Sequence, residues 1–340
     1  MAALSQRTYP FILLVLLHCA ILQINAQEPI PKGHLRVAFY NAENAFDCRH
    51  DSLHDDTSFL PESPRHWSPY RYHQKLQHLG QAIASLSSVD GLPPALIGLA
   101  EVENDSVLHD LTRRSPLRAI GYRYVMTHNT PATDARGIDV ALLYRPAHFR
   151  LISWSEHHAA ERDDASVRVR NLLLVTGESL SGDTLDVVVC HWPSKLGGRK
   201  HSAARRQMAA TATASLVDSL HTVRTHPCVV VMGDMNDTPA STAAKSLCRH
   251  HLTNLTHECK GSYRYKGQWE QLDQIFISST TSLHTTDAEV LRESFLLEKE
   301  PLYGGQRPKR TWNGFLYKGG YSDHLPVFFD IEWGGQYTSH

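Results

Sequence analysis

What this 340-residue chain lacks narrows its class before any motif is considered. Its 34 Lys and Arg stand against 35 Asp and Glu, a formal net charge of −1. No global field therefore draws it onto a polyanion, and any phosphate-rich ligand has to be held by local basic residues or a metal. Its six cysteines contain no CxxC pair, which argues against a zinc site. No apolar run exceeds the 12 residues of 11–22, too short for a comfortable membrane span. Its 20 glycines and 17 prolines are scattered, and no internal repeat or low-complexity block stands out. What remains, 41% hydrophobic and 20% charged, is the composition of an ordinary globular protein with a sizeable core.

Residues 1–26 carry one charge, Arg7, then the apolar run, then Ile24-Asn25-Ala26 before Gln27. They read as a secretory signal cleaved after Ala26, which makes the protein secreted or periplasmic. Residues 33–335 read as one domain. Without the leader, 33 basic and 35 acidic residues remain, with Cys48, Cys190, Cys228, Cys248 and Cys259. Cys190 and Cys228 adjoin β-branched runs and read as buried thiols. Cys48, Cys248 and Cys259 leave room for a disulfide in an oxidising compartment.

Six strand-like segments meet polar residues at their ends. Residues 35–40 alternate, are rich in strand formers and run into Asn41. Residues 95–100 deliver Glu101, and alternation places Glu103 on the same side. Residues 184–190, the second strand of a hairpin around Ser181-Gly182-Asp183, present His191. The most strand-like run, 228–232, opens onto Gly233-Asp234-Met235-Asn236-Asp237, where an acid and an amide two apart point into one cavity. Asp273 stands at the threshold of the strand 274–277, where aspartate is depleted. Ser322-Asp323-His324 precedes the apolar run 327–333. A plain turn or helix cap accounts for any one of these; six in order point to a common site.

Residues 70–86 read as a helix with Tyr72, Leu76, Leu79, Ile83 and Leu86 at helical spacing. Residues 203–221 read as another, with Met208, Ala212, Leu216 and Leu220 in one row. Arg205 and Arg206 in its first turns oppose the helix dipole, which calls for a nearby anion or an internal salt bridge. Arg136 in the polar segment 133–139, Arg199 in the basic segment 197–201, and Arg310 in the basic, aromatic loop 301–320 are candidate substrate contacts, because guanidinium forks match phosphate. An exposed turn or a connecting loop accounts for each as well. His50, Asp51, His54, Asp55 and Asp56 form either a second cation cluster or a solvated loop tip.

On Gly233-Asp234-Met235-Asn236-Asp237, Ser322-Asp323-His324 and the other strand-end residues, the chain resembles the endonuclease/exonuclease/phosphatase superfamily, the group of pancreatic deoxyribonuclease. The resemblance spans residues 35–333 and is strongest to secreted bacterial members. It implies an α/β (α+β) fold, a four-layer α/β/β/α sandwich of two mixed β-sheets flanked by helices. It implies Mg²⁺, with Mn²⁺ or Ca²⁺ as alternatives, on Glu101, with Asp323 and Asn41 near the same ion or its waters. It implies a catalytic set of His191, Asp234, Asn236, Asp273 and His324. Asp273 would polarise His324, which activates water or holds the phosphate. Asp234 and Asn236 would orient the nucleophile and phosphoryl oxygens, and His191 would steady the phosphate or protonate the leaving group.

That set suits phosphodiester cleavage, in which a hard cation on few carboxylates and aimed donors stabilise developing charge. The expected activity is a magnesium-dependent phosphodiesterase, an endonuclease acting on nucleic acid as a monomer. Within the same fold the alternative is a phosphatase or phospholipase-type hydrolase of inositol phosphate or sphingomyelin headgroups. The sequence shows no obvious apolar hairpin to insert in a bilayer, which weakens the lipid reading. A non-catalytic secreted binding module predicts a vacant catalytic position, and none is vacant.

Overall fold

The computed structural model describes residues 34–88, 91–159, 168–195, 199–278 and 283–333, with 199–201 described by backbone alone. The leader read over 1–26 and the side chain of Arg199 lie outside the described residues. The chain first lays down β1 (His34–Ala45), helix α1 (Pro69–Ala84), β2 (Leu96–Val102), helix α2 (Asp105–Arg114), β3 (Arg123–Met126) and β4 (Asp139–Tyr144). Then come β5 (Phe149–His157), β6 (Leu172–Ser179), β7 (Thr184–His191), α3 (Arg199–Val223), β8 (Val229–Asp234), α4 (Thr242–Leu247) and β9 (Leu252–Asn254). A hairpin of β10 (Tyr263–Tyr265) and β11 (Gln268–Glu270) precedes β12 (Asp273–Ser278), β13 (Leu283–Thr285) and β14 (Glu289–Val290). Two more hairpins, β15 (Leu297–Lys299) with β16 (Gln306–Pro308) and β17 (Trp312–Asn313) with β18 (Leu316–Tyr317), lead to β19 (Val327–Trp333).

Two mixed sheets result, ordered β13-β19-β1-β2-β4-β3, with β14 also on β19, and β5-β6-β7-β8-β12-β9. Their central strands are buried on both faces, so alternation sorts side chains into layers. Val37 and Phe39 of β1 meet Val187, Val230 and Met232 of the other sheet. Ala38 and Tyr40 instead face the helical layer of Leu76, Leu79, Leu108 and Leu111. On β8, Val230 and Met232 point inward while Val229 and Val231 pack beneath α3 and α4. This is the expected four-layer sandwich. Helix α1 starts where Ser68 accepts the Arg71 N–H ahead of Pro69, and α2 where Asn104 accepts the Val107 N–H.

Several expectations change on contact with the fold. The buried row of α3 is Ala209, Ala210, Ala214, Val217 and Leu220 with Leu216, while Met208 and Ala212 are only half-buried. Those alanines share an apolar cluster with Val188 and Cys190 of β7 and Val229 and Val231 of β8. The segment 301–320 holds the strands of small hairpins rather than a plain loop. Leu302 and Tyr303, 76% and 50% exposed, stand on the β15–β16 connection, and Phe315 and Leu316 are exposed on β17–β18, so apolar hairpin tips do exist. All five cysteines of the described residues are free, with Cys190 and Cys228 buried. No helix among the described residues is long and apolar enough to cross a membrane.

Topology then locates the site. β1 runs parallel to β2, and β7 parallel to β8; β19 and β12 are their antiparallel neighbours. Parallel strands end at the same edge, and an antiparallel neighbour begins there. The ends of β1, β2, β7 and β8 and the starts of β12 and β19 therefore share one edge of the sandwich.

Candidate active site

Asp234 closes β8, and the register sets it opposite His191 on β7 and opposite Asp273 on β12. Backbone pairing alone thus makes these three neighbours. A slip of one residue would turn Asp234 to the opposite face. The preceding Gly233 has a structural reason, because a β-carbon there would run into the carbonyl oxygen of Cys190.

From the other sheet come Asn41 and Glu101. Asn41 pairs with Ala100, and the ladders on both strands shift register just beyond. Glu101 sits on the bulge with φ 62°, and Glu43, Asn44 and Asn236 have φ 48°, 53° and 48°. Left-handed backbone at such residues costs roughly 1–3 kcal/mol each, so its concentration along one edge shows a backbone dictated by its surroundings. The bulge also interrupts the expected alternation. Glu101 Oε2 accepts the Asn44 N–H at 2.9 Å, while Glu103 Oε2 accepts the Asp47 N–H at 2.7 Å.

Glu103 supplies a stability prediction of its own. Burial, with the carboxylates of Asp47 and Asp56 behind it, pushes Glu103 up to about 8 from 4.5, against the Asp47 N–H. Between those values the folded chain keeps a proton that the unfolded chain has lost, so this contribution to stability falls as pH rises through the window. Glu103→Gln should melt a few degrees above the wild type at pH 9 and match it near pH 5. Equal melting at pH 9 would show that Glu103 carries no such penalty.

Around Asp234 the side chains form one web. Asn41 Nδ2 donates to Asp234 Oδ2 at 3.1 Å and lies 3.4 Å from Glu101 Oε1, and Asn41 Oδ1 accepts the Glu43 N–H at 2.9 Å. The face turned to the carboxylates is thus N–H, so Asn41 as placed orients them instead of offering an oxygen to a cation. His191 Nε2 is 3.6 Å from Asp234 Oδ2 and 3.9 Å from Glu101 Oε1. The Asn236 N–H donates to Asp234 Oδ1 at 2.8 Å, and its amide donates to the Trp192 carbonyl at 3.0 Å. His324 Nδ1 shares a proton with Asp273 Oδ2 at 2.7 Å, with Nε2 3.9 Å from Asp234 Oδ2.

The two histidines are driven to opposite charge states. Burial, then Arg170, Arg136 and the charge on His324, hold His191 well below the usual range, so it is neutral. Burial also opposes charge on His324, yet Asp273 and Asp234 outweigh it and keep the imidazolium. Burial lifts Asp234 to about 7 against the pull of His324.

Asp323 and Arg310 are spent on each other. Arg310 Nη2 meets Asp323 Oδ2 at 2.9 Å, and its Nε lies 3.7 Å from Glu43 Oε1. Arg310 thus serves as a counter-ion to both acids. Arg136 Nη1 donates to Asn44 Oδ1 at 3.0 Å, beside the site. The acids and histidines of the 50–56 loop bond one another, His50 to Asp56 at 2.6 Å and His54 to Asp51 at 2.7 Å.

Five carboxylates, Glu43, Glu101, Asp234, Asp273 and Asp323, thus face Lys75, Arg310 and a protonated His324. Asp273 Oδ1 is buried without a partner. This surplus of oxygen donors fits a hard divalent cation. Asp234, Asp273 and His324 bring one ligand atom each within 4.8 Å of one another. The Asp273–His324 hydrogen bond occupies Nδ1 and leaves Nε2 facing Asp234.

Four contributors escaped sequence reasoning. Lys75 Nζ, fully buried, reaches Thr311 Oγ1 at 2.5 Å and the Tyr321 carbonyl at 2.6 Å. Its signal was present, for Lys75 interrupts the apolar stripe between Tyr72 and Leu79. Glu43 accepts the Thr311 and Trp312 N–H groups at 2.5 and 3.2 Å. Ser262 donates to Asp273 Oδ2, and the Tyr263 ring lies 4.8 Å from that of His324; neither carries a sequence signal.

Two mixed sheets whose shared edge gathers carboxylates, amides and a His–Asp pair define the pancreatic deoxyribonuclease-like sandwich. The chain belongs to the endonuclease/exonuclease/phosphatase family, whose model matches residues 36–333. Its members are phosphoester hydrolases, generally dependent on a divalent metal. A family protein from Bacteroides thetaiotaomicron superposes with a TM-score of 0.60 at 15% identity, over 90% of this chain and 100% of that one. The mannosyl-6-phosphatase of the same organism gives 0.57 at 16%, over 88% and 100%. D. rerio TDP2, in complex with a single-strand DNA product, gives 0.55 at 12%, over 88% and 99%. At such identities these likenesses show the fold alone. Comparison with curated proteins gives no match.

Proposed function

We propose that residues 33–335 form a secreted or periplasmic, magnesium-dependent phosphodiesterase that cleaves nucleic acid endonucleolytically as a monomer, after loss of the leader 1–26. The observation that carries the reading is the buried His324–Asp273 pair at 2.7 Å, set against Asp234 in the same web as Glu101. Glu101 would hold the metal, with Asp234 or Asp323 near its waters. When bound, the ion supplies charge neutralisation to the phosphoryl and leaving oxygens. Asp234, lifted to about 7, is poised to take a proton from the attacking water near neutral pH. Asn236 and Asn41 fix its two oxygens. His324, kept cationic and oriented by Asp273, donates from Nε2 to a phosphoryl oxygen, a preorganised charge in a buried setting. Neutral His191 is suited to steady the phosphate rather than to protonate the leaving group.

A second reading, hydrolysis of a phospholipid headgroup, draws support from exposed Leu302, Tyr303, Phe315 and Leu316 on hairpin tips. One panel separates them. Purified residues 27–340 would be given plasmid DNA, RNA, bis-nitrophenyl phosphate and sphingomyelin vesicles, each with Mg²⁺ or chelator. Nicking of plasmid that chelator abolishes is expected, as is a rightward shift of the Mg²⁺ titration in Glu101→Gln. Turnover of vesicles alone would replace the nuclease reading, and an unchanged titration would remove Glu101 from the metal shell.

A further inference from the structure

The paired arginines at the start of α3 part company in the structure. Arg206 Nε meets Asp237 Oδ2 at 2.9 Å, and its Nη1 lies 3.4 Å from the Pro193 carbonyl. Arg205 has no hydrogen-bond or ion-pair partner among the described residues, and its Nε is buried. It lines a recess of about 180 Å³ with Arg136, Arg168 and Arg170. Arg168 is likewise without a partner among the described residues. Asp134, the one acid in that lining among the described residues, is already held by Arg170 Nε at 2.8 Å. Four guanidiniums against one carboxylate give the lining a formal charge of +3, in a chain whose net charge is −1.

Such crowding is unfavourable unless an anion relieves it, since like charges repel and unsatisfied donors carry a desolvation cost. The recess adjoins the catalytic edge. Arg170 Nη1 lies 3.4 Å from the carbonyls of His191 and Trp192. Arg136 holds Asn44, whose N–H holds Glu101. A volume of that size accommodates about six waters, one tetrahedral anion with its hydration and not a run of nucleotides.

We infer that this recess is a second phosphate subsite, separate from the scissile position, which takes a terminal phosphate of the same substrate. The inference rests on the phosphodiesterase reading and adds to it a preference for short strands that carry an end phosphate, over and above the cutting of internal diesters. A terminal phosphate carries a second negative charge that an internal diester lacks, and guanidinium forks match its oxygens. Free inorganic phosphate shares that chemistry and would occupy the recess as a competitor.

The test uses the mature chain and its Arg168→Gln/Arg205→Gln variant, with the exposed Arg168→Gln alone should the double variant not fold. Thymidine dinucleotides with a 5′-phosphate, a 3′-phosphate or neither would be compared in kcat/KM, alongside bis-nitrophenyl phosphate. The wild type should favour one phosphorylated form by about tenfold, and the variant should lose that preference while its bis-nitrophenyl phosphate turnover is unchanged. No preference in the wild type, or an equal loss on every substrate, would overturn the subsite. A calorimetric titration with inorganic phosphate, in chelator, needs no turnover and so tests the recess even if the protein is no phosphodiesterase. Binding should weaken about tenfold in the variant, and equal binding would overturn the inference.

Discussion

Asp234→Asn should lower metal-dependent phosphodiester hydrolysis by about a thousandfold, with KM little changed and no loss of thermal stability. Asp234 stands at the centre of the web: it pairs in register with His191 and Asp273, takes the Asn236 N–H and the Asn41 amide, and faces both imidazoles. Asparagine keeps an oxygen for the Asn236 N–H but cannot take a proton. It also removes one of the two carboxylates that hold His324 cationic. Stability should survive because burial works against the Asp234 charge, lifting it to about 7. The folded chain thus favours the neutral form, and above that pH a neutral side chain is no worse. The measurement is a steady-state rate beside a melting curve. Turnover within tenfold of wild type would sink the assignment, whereas a collapsed melting curve would make Asp234 structural.

Lys75→Met should produce the largest stability loss. Lys75 and Glu43 are buried, and together they fasten the segment 311–321 to α1 and the end of β1. Burial lowers Lys75 to about 8 and raises Glu43 to about 7, each partly offset by the other. Lys75→Met strips the Tyr321 carbonyl and the Thr311 hydroxyl of their donor and leaves Glu43 with Arg310 as its remaining nearby cation, a loss of about 3–5 kcal/mol if it matches the breaking of a buried ionic network. For a chain of this size that is a fall in melting temperature of about 10 °C. Activity should fall with it, since Asp323 and His324 follow directly on that segment. Adding Glu43→Gln removes the orphaned charge while keeping an acceptor for Thr311, and should restore most of the melting temperature. A single variant that melts like the wild type would show that Arg310 alone satisfies Glu43.

The strand-end residues were legible because two simple signals coincide there, a period of two and a polar residue where the period stops. Asn41, Glu101, His191, Asp234, Asp273 and His324 all meet along one edge for that reason. Other features have no such signature. The bulge at Glu101 is one inserted residue, and no composition marks it, so the alternation of Glu101 with Glu103 misled. Arg310 looked available for phosphate because its partners, Glu43 and Asp323, are brought to it only by the anchoring of Thr311. On α3 the expected row holds at Leu216 and Leu220 and fails at Met208 and Ala212, where the buried positions are Ala209, Ala210 and Ala214, small residues that contribute least to an apolar count. The hairpins around residues 297–317 use strands of two and three residues, below the length at which alternation can be seen.

The hydrolytic groups and the basic recess are held by different kinds of structure. Asp234, His191 and Asp273 are rungs of a hydrogen-bonded ladder, so they cannot shift without breaking the sheet. Arg136, Arg168 and Arg205, like the tips at Leu302 and Phe315, lie on connections or on a helix beside that sheet. Inheritance can therefore act on the two separately. Substitutions on the connections would re-aim the proposed enzyme at a new phosphoester, while a change at the strand-end groups would disturb the sheet itself.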